Sequence, residues 1–89
     1  MGATMEIKVL GAGCARCKKL HEDAKKAMAQ AGMNVEVHYV SEIEEIIKYD
    51  VLMTPAIVIN GEVKAAGRVP TIPEMVAWFV NAAATEEGG

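Results

Sequence analysis

Apolar and polar positions change rhythm several times along this chain, and each rhythm predicts an element. From Thr4 to Leu10 the run is short and strand-like, with Ile7 and Val9 on one face and Glu6, Lys8 and Leu10 on the other. Cys17, Leu20, Ala24, Ala27, Met28 and Ala31 then recur at helical spacing. They predict a helix from Cys14 to Gln30 that Gly32 ends. Val35, Val37 and Tyr39 alternate with Glu36, His38 and Val40 as a second strand, and the long helix between the strands predicts that the two run parallel. Ser41 and Glu44 have the spacing of a capping box around Ile43, Ile46 and Ile47, so a short helix is predicted over residues 42 to 49.

The second half has a different rhythm. Ala56-Ile57-Val58-Ile59, Asn60-Gly61 and Glu62-Val63-Lys64-Ala65-Ala66 spell a β-hairpin, because Asn-Gly supplies both positive-φ residues of a type I′ turn. Thr71 and Glu74 form another capping box with Pro73 in the first turn, and Ile72, Met75, Val76, Phe79, Val80 and Ala83 follow at helical spacing. Residues 1–4 and 85–89 are expected to be flexible ends of one domain spanning 1–89. The order β-α-β-α-β-β-α defines an α/β fold. Right-handed crossovers put the first strand inside a four-stranded mixed sheet with helices on both faces, and the loop after that strand at its carboxyl end, where ligands of open α/β sheets bind.

Composition narrows the function. With 89 residues, 52% of them hydrophobic, the chain can build one core, although a domain of this size hides only about 60% of its unfolded surface. A net charge of −3, no run of more than two basic residues and a single tryptophan and phenylalanine argue against nucleic acid as a partner. No apolar run approaches the roughly 18 residues that cross a bilayer. The first residues lack the basic start and apolar stretch of a secretory signal, so a cytoplasmic protein with no membrane partner is expected. Two cysteines are too few for a disulfide framework, and in a reducing compartment a close pair is more often catalytic or metal-binding than structural.

Both cysteines lie in Gly11-Ala12-Gly13-Cys14-Ala15-Arg16-Cys17-Lys18-Lys19, where the first strand meets the first helix. Cys14 is placed at the helix N-terminus, where unpartnered N–H groups and a macrodipole equivalent to about +0.5 charge favour a thiolate, which marks it as the nucleophile. Cys17 falls on the core side, a place for a less reactive thiol. Arg16 lies between the sulfurs and is the cation expected to touch substrate or set the potential, whereas Lys18 and Lys19 read as a solvated helix face. Gly11 and Gly13 let backbone approach the sulfurs or make a tight strand-to-helix turn, and the two readings can hold together. His21 is expected to face solvent and His38 to lie on the surface, neither as a metal ligand. The residues alone leave two chemistries open: dithiol–disulfide exchange, and soft-metal (copper or zinc) carriage by the two thiolates.

With C-x-x-C after the first strand, Thr54-Pro55 before the third and a hairpin-helix ending, the chain resembles the thioredoxin fold in its minimal form. More narrowly, Gly11 to Cys17 and the small size are similar to the thioredoxin-like and glutaredoxin-like redox-active disulfide proteins of archaea and anaerobic bacteria. The resemblance implies a thiol–disulfide oxidoreductase without a bound cofactor, in which Cys14 attacks, Cys17 resolves and the two form the redox-active disulfide. It implies a cis bond at Pro55, with Thr54 offering its backbone to an extended substrate beside Gly13, Ala15 and Arg16. Disulfide-containing protein substrates, an electron donor of the thioredoxin-reductase type and a monomeric state are the expectations for partners. The chain departs from ordinary thioredoxins in lacking a tryptophan before Cys14, in having Ala15-Arg16 for Gly-Pro, and in placing Lys8 where they keep a buried aspartate. That group's role is either absent or taken over, with Lys8 and Glu6 as the candidates to replace it. The rival carrier family, small heavy-metal-associated domains, runs β-α-β-β-α-β and ends in a strand.

Overall fold

Ile7 and Val9, pointing to one face, and Leu10, pointing to the other, are all completely buried, which requires a strand covered on both sides. In the computed structural model, which describes residues 5–88 and side chains as far as residue 84, that strand is β1 (Ile7–Leu10). It is followed by α1 (Ala15–Gln30), β2 (Val37–Val40), α2 (Ile43–Ile47), β3 (Ala56–Ile59), β4 (Glu62–Ala66) and α3 (Ile72–Gly88). The strands form one sheet in the order β2-β1-β3-β4. β1 pairs parallel with β2, and the β1–β3 and β3–β4 pairs are antiparallel. This is the minimal thioredoxin fold in the expected element order. The predicted flexible residues 1–4 and 89 lie outside the described residues.

The two faces are covered by different helices. α1 and α3 pack together over Ile7, Val9, Ile57 and Ile59, bringing Leu20, Ala24, Ala27, Met28, Met75 and Phe79 into one cluster. On the opposite face Leu10, Ala56 and Val58 meet Ile46 of α2. The hairpin turn is as predicted: Asn60 and Gly61 take φ of 53° and 82°. Asn60 also ties the turn to the segment before β1, since its N–H donates to the Glu6 carbonyl and its Oδ1 accepts from the Glu6 N–H. At α3 both halves of the Thr71–Glu74 box form, at 3.1 and 3.2 Å.

Several boundaries differ from the sequence reading. β1 starts at Ile7 rather than Thr4, and β2 at Val37 rather than Val35. The Ser41–Glu44 box is not made, because Glu42 occupies the cap position of α2, without a side-chain bond, and the helix begins one residue too late for Ser41 to reach it. A helix of barely more than one turn presents only one residue squarely to the sheet, so Ile46 is buried while Ile43 and Ile47 are 61% and 62% exposed. α3 continues to Gly88, through residues expected to fray; Ala82-Ala83-Ala84 keep the helix in strong formers. No helix among the described residues is long and apolar enough to cross a membrane.

Candidate active site

The loop between β1 and α1 leaves the sheet at the carboxyl end of β1, beside the edge strand β2 that runs parallel to it. Gly11 N–H donates to the Val40 carbonyl at 3.0 Å, so the loop stays in register with β2 for one residue after β1 ends. Gly11 is fully enclosed for a steric reason. A Cβ there would stand 2.6 Å from Cys17 Cβ, 2.8 Å from Cys17 Sγ and 2.9 Å from the Tyr39 hydroxyl oxygen, all inside contact distance. Gly13 serves the turn instead: its φ is +91° and the space beside it is open. The two readings of the glycines thus divide between them, close approach at Gly11 and left-handed backbone at Gly13.

Cys14 has extended backbone and is the N-cap of α1, its Sγ accepting from the Cys17 N–H at 3.2 Å. Cys14 is exposed and Cys17 completely buried. The two are joined as a disulfide, with Cα atoms 5.1 Å apart. On reduction, a negative charge on Cys14 would sit at the end of α1 where backbone N–H groups lack helical partners, while the buried Cys17 would be held toward its neutral thiol.

Around the sulfurs, Arg16 donates to the Gly67 carbonyl at 2.8 Å, and Gly67 N–H donates to the Pro55 carbonyl at 2.8 Å. This ties the start of α1 to the segment holding the Thr54-Pro55 peptide, which is cis. Pro55 is buried and Thr54 half-buried, whereas Gly13, Ala15 and Arg16 are exposed next to Cys14. Lys18 and Lys19 are exposed, and Lys19 is paired with Asp23 at 3.0 Å.

Of the candidates for a proton-handling role, Lys8 is held by Tyr49 and by Glu6, the other candidate. Its Nζ donates to the Tyr49 hydroxyl at 2.9 Å and lies 3.7 Å from Glu6. The Tyr49 hydroxyl holds the Lys8 ammonium above the ordinary lysine value; partial burial opposes this, and the Glu6 and Glu45 carboxylates add to it. His21 is half-buried rather than turned to solvent: its Nε2 bonds the Val37 carbonyl at 2.9 Å, and its ring lies 5.3 Å from that of Tyr39. His38 is exposed, as expected.

The residue that sequence reasoning missed is Tyr39. Its hydroxyl accepts from Gly13 N–H at 2.9 Å and borders the same space as Cys17 Sγ. Periodicity gave it only as one apolar residue of a strand. Its pairing opposite Val9, one step before the loop, is what brings the hydroxyl to the space beside Cys17.

The comparisons agree with this geometry. A family model described as a thioredoxin domain matches residues 5–80. A thioredoxin from Methanothermobacter thermautotrophicus is 31% identical over 71 residues, covering 80% of this chain and 92% of that protein. A thioredoxin from Methanocaldococcus jannaschii is 29% identical over 69 residues, covering 78% and 79%.

Proposed function

Since this chain belongs to the thioredoxin family and is a thiol–disulfide oxidoreductase, we propose that it reduces protein disulfides with Cys14 as nucleophile and Cys17 as resolving thiol. The observation that carries this assignment is the asymmetry of the pair: an exposed sulfur capping α1 beside a fully buried one. The Cys14 thiolate attacks a substrate disulfide, forming a mixed disulfide and releasing one substrate thiolate. Cys17 gives up its proton and attacks Cys14 Sγ, so the Cys14–Cys17 bond forms as the bond to substrate breaks. The second substrate sulfur leaves as a thiolate, and both leaving groups take up protons. Two electrons pass from the dithiol to the substrate, and no bound cofactor takes part.

Substrate lies along Gly13, Ala15 and Arg16 on one side of Cys14 and the Thr54 backbone on the other, with Pro55 as the floor. The chain of bonds from Arg16 through Gly67 to Pro55 supports this placement by holding the two sides together. The protein works as one domain and a monomer in the cytoplasm, recharged by an electron donor of the thioredoxin-reductase type. The soft-metal alternative loses its structural basis, since the chain has a helix after its second strand and ends in another, unlike the carrier domains.

The test is reduction of insulin disulfides with dithiothreitol as electron source. Cys14→Ser is expected to remove the activity, and Cys17→Ser to accumulate a mixed disulfide with substrate. Undiminished activity in Cys14→Ser would refute the assignment.

A further inference from the structure

Cys17 poses a chemical problem. It is completely buried, which favours the neutral thiol, yet it must become a thiolate to attack Cys14. Lys8 is bonded to Tyr49. On α1 itself, Arg16 is turned to the Gly67 carbonyl and His21 to the Val37 carbonyl. The polar group that β2 brings to the sulfur is the Tyr39 hydroxyl.

Its geometry suits a donor. The oxygen and Cys17 Sγ both border the space that a Cβ on Gly11 would fill, at 2.9 and 2.8 Å from it. Among the described residues, the only hydrogen bond at that oxygen is the one it accepts from Gly13 N–H. Because a phenol both accepts and donates, its own proton is left over. The packing that makes Gly11 obligatory therefore also puts the hydroxyl and the sulfur on the border of one small space, each within contact distance of the same point. In the disulfide, Cys17 Sγ carries no charge to attract that proton; in the reduced enzyme its thiolate does.

We infer that Tyr39 donates a hydrogen bond to the Cys17 thiolate in the reduced enzyme and so makes the buried resolving thiol ionisable. The inference deepens the assignment of Cys17 as the resolving thiol and rests on it. Tyr39 loses no proton in the step. The Cys17 proton goes to solvent, the Tyr39 O–H stabilises the sulfur that remains, and the departing substrate thiolate is protonated in turn. The tilted contact with the half-buried His21 ring helps fix the phenol.

The experiment titrates each cysteine alone, by the ¹³Cβ shift of labelled cysteine, with and without Tyr39→Phe. In Cys14→Ser the only thiol is Cys17, and removing the hydroxyl is expected to raise its midpoint by about one pH unit, a tenfold loss of thiolate. In Cys17→Ser the only thiol is Cys14, and its midpoint is expected to move less. If Cys14 moves as much as Cys17 or more, or neither moves, the hydroxyl merely holds the Gly13 turn and the inference is overturned. A second reading needs no tyrosine variant. In Cys14→Ser the Tyr39 ¹³Cζ resonance must follow the Cys17 titration step, and a resonance that stays flat through it also overturns the inference. Neither measurement depends on turnover, so failure here is distinct from failure of mixed-disulfide trapping.

Discussion

On the α1/α3 face of the sheet, Ile7, Val9, Ile57 and Ile59 meet Leu20, Ala24, Met28, Met75 and Phe79, whereas on the α2 face Leu10, Ala56 and Val58 meet Ile46 as the one buried helix residue. The first face is covered by two long helices and the second by a helix of little more than one turn. Cys17 belongs to α1, so the resolving sulfur is anchored through the thicker layer. The thin side leaves Ile43, Ile47 and Met53 largely exposed and Leu52 98% exposed. A strong layer holds the helix that presents the cysteines, and a weak one suffices under the segment that leads to Pro55.

Truncating one large side chain on each face is the most direct way to break this comparison. Phe79→Ala is expected to cost about 3–5 kcal/mol, because Phe79 is completely buried between α1 and the sheet. Ile46→Ala should cost about 2 kcal/mol, at the low end for such a change, since half-buried Tyr49 and Val51 around it can close in. Both are read by denaturant unfolding, and equal losses would show that the faces do not differ in strength.

The cap of α3 gives the next effect. Thr71→Ala removes the oxygen that accepts from Glu74 N–H and is expected to cost about 1 kcal/mol. Arg68, bonded through both terminal guanidinium nitrogens, is the main group that holds the Glu74 carboxyl below its ordinary value, and the Thr71 N–H assists. A carboxyl lowered on folding contributes stability above its unfolded value, near 4.5, and loses it as pH falls through the lower folded value. Unfolding midpoints of the parent protein should therefore fall on acidification below that value, and Glu74→Gln should flatten part of the decline. The smallest effect belongs to the thin face, where Ile43→Gln and Ile47→Gln should each lie within about 0.5 kcal/mol of the parent. A loss above 1.5 kcal/mol at either would mean that α2 is more deeply covered than its exposure indicates.

Much of this was legible from local chemistry alone. Asn60-Gly61 specifies its turn because few residues tolerate two positive φ values in succession. Thr71 and Glu74 satisfy one another's backbone across three residues, and the α1 stripe needs no knowledge of what it packs against. The spacing of Cys14 and Cys17 and the apolar face of α1 together put one sulfur at the helix end and the other inside. Such features depend on neighbours within a turn or two, so sequence by itself determines them. Others depend on which strands become neighbours. The cap of α2 fell on Glu42, and Ile43 and Ile47 stayed wet, because so short a helix can set only one residue, Ile46, against Leu10, Ala56 and Val58. Lys8 pairs with Tyr49, 41 residues away, and Tyr39 reaches the cysteine loop only because parallel pairing sets it opposite Val9. Those contacts arise from register between distant segments, which no local pattern encodes, and only the tertiary structure decided them.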